Sequence, residues 1–136
     1  MVFNYQPNKL VNTVVKSRMH YYDIKTKSVR FKVRPILIIA IERNYFHTDL
    51  TVLPISSVSN KKNIDSKFDI SIGKIECPTL RYITRDYCFV RTHKPYTINS
   101  NSLFTDSNLD NLKVLYPHKF EQISLAWSEF SETLLK

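Results

Sequence analysis

The chain has 136 residues, a formal net charge of +8, a pI near 9.5 and 43% hydrophobic residues, which bounds it to one domain with enough apolar material for a packed core. One glycine, Gly73, excludes Gly-rich phosphate loops, and no apolar run approaches the roughly 20 residues that cross a bilayer. Met1 to Pro7 lack the basic-then-apolar pattern of a secretory signal, so the chain reads as cytosolic with no membrane partner. Its cationic excess serves either solubility or a polyanionic partner: nucleic acid, an acidic protein tail or a phospholipid surface.

Cys77 and Cys88 have no zinc-type spacing and no nearby histidine pair. They read as buried small hydrophobes, with no disulfide in a reducing compartment and no metal site. A chain this poor in glycine makes its turns with asparagine, aspartate, serine and proline. Asn60, Asn63, Asp65, Asn99 and Asn101 fall where such turns are expected.

Residues 1–9 are polar and read as an irregular tail. Leu10 to Tyr22 is β-rich, either one long bent strand or two shorter ones. Asp23 to Lys32 is a hydrophilic insert whose second half alternates, with Val29, Phe31 and Val33 on one face and Arg30, Lys32 and Arg34 on the other. This is either a solvated edge strand guarded by cations or a basic ribbon that tracks a phosphodiester backbone.

Pro35 suits the start of a strand. Ile36 to Ile41 does not alternate and reads as a central strand covered on both faces. A polar turn with Tyr45 and Phe46 leads to a further strand, Leu50 to Ile55. Ser56 to Lys67 is a polar loop, and Phe68, Ile70 and Ile72 alternate with Asp69 and Ser71 as a half-buried strand that Gly73 ends. Asp86 to His93 reads as another strand, with Tyr87, Phe89, Arg91 and His93 on one face and Cys88, Val90 and Thr92 on the other. Pro95 breaks it, and Tyr96 to Ile98 resumes an extended path.

The period then changes. Asp106 or Ser107 can cap a short helix bearing Leu109, Leu112 and Leu115. Pro117 suits the first turn of a second helix. There Phe120, Ile123, Trp127, Phe130 and Leu134 form a stripe expected to face the core. Helices are thus expected over about 106–135, and the order of strands then helices predicts an α+β domain with a small twisted barrel.

Three segments resemble the MazF/PemK family of ribonuclease toxins. Val33-Arg34-Pro35-Ile36-Leu37-Ile38-Ile39 is similar to the family's "RP" followed by an aliphatic strand. Val52-Leu53-Pro54-Ile55-Ser56-Ser57 resembles its "V-P-I/L-T/S-S" segment. Tyr87 to Lys94 resembles a later strand that carries an arginine. The resemblance spans roughly residues 10 to 135, the length such a fold needs. It implies an SH3-like antiparallel β-barrel with C-terminal helices, a homodimer, and metal-independent and cofactor-free cleavage of single-stranded RNA to 2′,3′-cyclic phosphate and 5′-hydroxyl ends. It also implies a cognate antitoxin as partner. Two places depart from the family: Asn12-Thr13 stands where it commonly has Gly-Asp or Gly-Glu, and Asp23 to Ser28 lacks its Glu-Gln-containing loop.

Carried over residue by residue, the resemblance places Arg34 on the catalytic arginine and Ser56 on a phosphate-contacting hydroxyl. It places Arg91 on a second active-site arginine, and His93 where some members carry aspartate. A guanidinium fork clamps two phosphate oxygens and counters their rising charge. Histidine is the side chain whose ordinary pKa suits proton transfer near neutrality, which makes His93 the candidate base or acid, with His20 and Asp23 as the others. Arg30, Lys32, Ser57, Lys61, Lys62 and Lys94 are candidate RNA contacts. Tyr22, Tyr45 and Phe46 either stack bases or pack at the core edge. The competing reading is a non-catalytic SH3-like module that binds nucleic acid or a protein such as a topoisomerase.

Overall fold

The computed structural model describes residues 3–58, 60–105 and 108–134. A 3-10 turn (Pro7–Leu10) precedes β1 (Thr13–Asp23), β2 (Ser28–Ile41) and β3 (Asp49–Ser56). Then come β4 (Asp69–Ser71), β5 (Phe89–Arg91), β6 (Tyr96–Asn99), β7 (Leu103–Phe104) and β8 (Asp110–Asn111). Two helices, α1 (Leu112–Leu115) and α2 (Pro117–Thr133), end the chain.

The strands pair antiparallel in one eight-stranded sheet, ordered β4-β5-β3-β2-β1-β7. Strand β6 adds to β3, and β8 adds to β1. The expected α+β class holds; the described strands do not close β4 onto β7, so the structure shows a sheet that is not closed into the expected barrel.

The central run, expected to be covered throughout Ile36 to Ile41, is so only over its first half, with Ile39 and Ile41 half-buried and Ala40 exposed. Ile36, Leu37 and Ile38 are fully buried, and β2 lies between β1 and β3. Alternation sends them to two cores. Leu37 joins Val14, Leu53 and Ile55 on one sheet face, beneath Leu112 and Ile123 of the helices. Ile36 and Ile38 join Val15, Val52 and Leu103 on the other. Each buried Leu or Ile contributes roughly 1.5–3 kcal/mol relative to exposure.

Pro35 does not start a strand. It lies within β2, paired with Lys16 and one residue past the last β2–β3 pair, Ile36 with Pro54. A residue without an N–H donor is tolerated where the ladder on one side ends. The tail is not wholly irregular either. Phe3 stacks on Phe46 at 3.9 Å, and Phe3 and Tyr5 pack against the second core.

The first region proves to be one strand, β1, and its outer half pairs with β2 alone. The ladder runs unbroken from Val14 opposite Leu37 to Asp23 opposite Ser28, whereas the partners β7, β8 and β3 engage only residues nearer the core. The result is a two-stranded ribbon. Its turn uses Lys27 at φ 53°, and Asn12 at φ 70° precedes β1, both without glycine.

Around β4, Ile70 packs against the first core and Ile72 is buried in it as expected, but Asp69, expected on the outer face, is buried too. Strand β5 is shorter than expected, although Cys88, Val90 and Thr92 are buried on one face as the alternation predicts. The proposed caps Asp106 and Ser107 lie outside the described residues; α1 begins at Leu112, capped by the Asn111 side chain, which accepts from the Val114 N–H. Pro117 opens α2, and Ile123, Phe120 and Trp127 face the first core. Leu134 does not join them, being 61% exposed.

Candidate functional site

Register fixes which side chains share a face. Arg34 pairs with Ser17, Lys32 with Met19 and Arg30 with Tyr21, and residues directly opposite in an antiparallel pair point the same way. Continuing the β2–β3 ladder two residues beyond Ile36 with Pro54 sets Arg34 level with Ser56. Met19, Tyr21, Lys32, Arg34, Pro54 and Ser56 accordingly line one cleft of about 370 Å³.

Arg34 is exposed and makes no hydrogen bond or ion pair with a described residue. Its guanidinium is left available for an anion. The Lys32 ammonium lies 4.3 Å from the centre of the Tyr21 ring, a cation–π contact that holds a second positive charge beside it. Behind Met19, the Tyr96 hydroxyl is 3.6 Å from Met19 Sδ; burial pushes that phenol above its ordinary pKa.

Ser57 is the junction of the surface. It borders this cleft, a smaller one of about 190 Å³ beyond Arg34, one of about 380 Å³ with Arg91 and Lys94, and one of about 730 Å³ with Lys61. The structure thus brings Arg34, Ser56, Ser57 and Lys32 together. Lys61, Lys94 and the edge of Arg91 sit in neighbouring clefts. Arg30 lies outward on the same ribbon face, 3.4 Å from Asp23. Lys62 is exposed in the 3-10 turn Lys61–Asn63.

Arg91 is already engaged. Its Nε donates to Asp69 Oδ1 at 3.1 Å, and its Nη2 reaches Asp69 Oδ2 at 3.3 Å and the Asn63 carbonyl at 2.9 Å. The Asp69 side chain is fully buried, and it also accepts from the Asp65 N–H at 2.8 Å. His93 belongs to the same group. Its Nδ1 is 3.6 Å from Asp69 Oδ1, has no hydrogen-bond partner among the described residues, and its ring packs against Phe68 and Phe130. His93 borders none of the four clefts above. The expected convergence of His93 on Arg34 is therefore corrected: it packs under α2.

The other candidate bases are also displaced. His20 borders the cleft, but it pairs with Phe31, which alternation places on the opposite ribbon face from Arg34. Asp23 ends the ribbon, about 20 Å from the Ser17–Arg34 pair at ~3.3 Å per residue. Slight desolvation acts to raise its carboxyl, but hydrogen bonds from the Lys25 N–H and Arg30 outweigh this and hold it below its ordinary value.

None of the three proposed stacking aromatics reaches the cleft. Tyr45 and Phe46 lie in the β2–β3 turn, at the far end of both strands from Arg34 and Ser56. Phe46 is stacked on Phe3, and Tyr45 hydrogen-bonds Arg43. Tyr22 is 61% exposed on the other ribbon face. Tyr21 takes the place expected of them. The signal for it was the β1 alternation once the register with Arg30 is known. Among the described residues no three His, Cys, Asp or Glu side chains gather as a metal site. No protein-family model and no curated protein sequence matches the chain.

Proposed function

We propose that the protein is a metal-independent endoribonuclease of single-stranded RNA, the toxin of a toxin–antitoxin pair, built on an SH3-like scaffold and acting as a cytoplasmic homodimer. The observation that carries this reading is the pairing of an exposed, unengaged Arg34 with Ser56 in a cleft flanked by Lys32. Arg34 clamps two oxygens of the scissile phosphate, and Ser56 donates a hydrogen bond to one of them. The ribose 2′-oxygen attacks phosphorus, the P–O5′ bond breaks, and a 2′,3′-cyclic phosphate and a 5′-hydroxyl result. The cleft is lined by cations, hydroxyls, a phenol, apolar groups and His20; because alternation sets His20 on the opposite ribbon face from Arg34, the 2′-proton passes to solvent and the leaving 5′-oxygen takes one from it. Arg91 and His93 support the fold through Asp69 in this reading. An acidic antitoxin segment is suited to cover the cationic cleft.

The test is incubation with long RNA in EDTA, followed by mapping of the ends. Cyclic-phosphate ends lost in Arg34→Ala support the reading; intact RNA across diverse sequences, from a folded protein, overturns it.

A second reading is favoured by one observation: Arg91 is committed to Asp69 and His93 packs against Phe68 and Phe130 away from the cleft, which takes the expected base away from Arg34. The protein is then a binding module, and salt-sensitive RNA binding without scission distinguishes it.

A further inference from the structure

The chain's one glycine is placed at a close backbone approach. A Cβ on Gly73 would lie 1.8 Å from the Asp86 carbonyl oxygen. Hydrogen bonds fix the segment on both sides, from the Ile72 N–H to the Cys88 carbonyl and from the Lys74 N–H to the Arg85 carbonyl, each 2.8 Å. Cys88 and Ile83 anchor it in the core. The turn so held presents Asp86 and a Tyr87 that is 66% exposed.

Across from it stands the loop after β3. Between them lies the cleft of about 730 Å³, framed by Ser57, Lys61, Arg85, Asp86, Tyr87 and Phe89. Its volume falls in the range of small-ligand sites, roughly 300–1,000 Å³. It combines two aromatic side chains, Tyr87 and Phe89, with two cations, Lys61 and Arg85, that have no ion-pair partner among the described residues. Ser57 joins it directly to the Arg34 cleft.

We infer that this cleft is a nucleobase subsite for the nucleotide next to the phosphate held by Arg34, with the unpaired base stacked on Tyr87. Lys61 and Arg85 take the following phosphate. The Asp86 carboxylate accepts from an amino or imino group on the base edge, which gives the site its preference among bases. Base–aromatic stacking is tolerant of sequence, whereas an acceptor-only carboxylate is not. The assignment rests on reading the Arg34 cleft as a phosphate site.

The test is fluorescence anisotropy with labelled hexaribonucleotides of A, C, G and U, titrated into the full chain at low salt. Tyr87→Ala is expected to weaken the best-bound oligomer by roughly 5- to 100-fold. Tyr87→Phe retains the stack and restores binding, and Asp86→Asn changes the ranking of the four bases. Arg34→Ala weakens all four alike. Unchanged affinity in Tyr87→Ala beside a loss in Arg34→Ala overturns the subsite and leaves the phosphate site standing. A loss in Tyr87→Ala with none in Arg34→Ala overturns the phosphate reading instead. Absence of binding by the wild type overturns both.

Discussion

Arg34 and Ser56 stand level on neighbouring strands, two residues past the Ile36–Pro54 pair, and both open into the same cleft. The arginine is exposed and unengaged among the described residues, so removing it leaves no buried partner unsatisfied. Arg34→Ala is expected to lower RNA cleavage by about 10²–10³-fold, the range for loss of one preorganised charge-stabilising donor, with the melting temperature unchanged. Arg34→Lys recovers part of the loss, because a point charge cannot replace a bidentate fork. Cleavage rates and thermal melts of the three proteins decide the matter.

Asp69 and Arg91 give the opposite expectation. Both side chains are sequestered, and Arg91 supplies two of the three hydrogen bonds on the carboxylate. Arg91→Ala leaves Asp69 buried without its counter-charge and is expected to cost about 3–5 kcal/mol, measured by urea unfolding. A loss below about 1 kcal/mol, the usual worth of a surface pair, would show that the pair is solvated in solution.

Glu76 links the β4 region to α2. The Lys119 ammonium first, and then the Ser71 hydroxyl, hold its carboxyl below the ordinary value of 4.5. A depressed folded pKa means stabilisation that is complete above pH 4.5 and is lost as pH falls through the folded value. Melting curves across pH should show wild type more stable than Glu76→Gln at neutrality, with the difference shrinking below pH 4.5. A constant difference would remove Glu76 from the acid response.

Cys77 and Cys88 are free and buried, and burial pushes both thiols above their ordinary pKa. The reactive thiolate is therefore scarce and covered. A chromogenic disulfide reagent should find neither thiol in the native protein and both in denaturant. Rapid native labelling of either one would contradict the core packing.

Helix α2 contributes through particular positions. Ile123 is 2% exposed, whereas Leu134 is 61% exposed. Ile123→Ala should cost about 2–5 kcal/mol and Leu134→Ala within about 0.5 kcal/mol, both by urea unfolding.

The parts legible in the sequence were those with a local period. The unbroken run Ile36 to Ile38 marks a strand with cores on both sides. The alternation of Val29, Phe31 and Val33 with Arg30, Lys32 and Arg34 matches the ribbon's two faces, and the buried set Cys88, Val90 and Thr92 follows the same logic. What escaped depends on distant partners. Asp69 is buried because Arg91 meets it across a strand pair, and no pattern around Asp69 records that. Phe3 is ordered by Phe46, and the segment from Ile72 to Cys88, which sends only Ile72, Cys77, Leu80, Ile83 and Cys88 into the core, has no regular period. For the site, chain order and motif brought Arg34 and Ser56 together, but the register sets His20 on the opposite ribbon face from Arg34 and His93 packs away from the cleft.

The ribbon formed by the outer halves of β1 and β2 carries one further consequence. A two-stranded hairpin with no third strand is marginally stable in water, so its opening requires only a small part of the free energy that unfolds the whole domain. Amide hydrogens there should exchange with solvent far sooner than those of Ile36 to Ile38. Arg34 stands at the hinge between these two regimes: its strand is anchored in the cores on one side and free to be remodelled on the other. Under the proposed function, RNA bound at Arg34 would reshape the ribbon at little energetic cost while the guanidinium keeps its place.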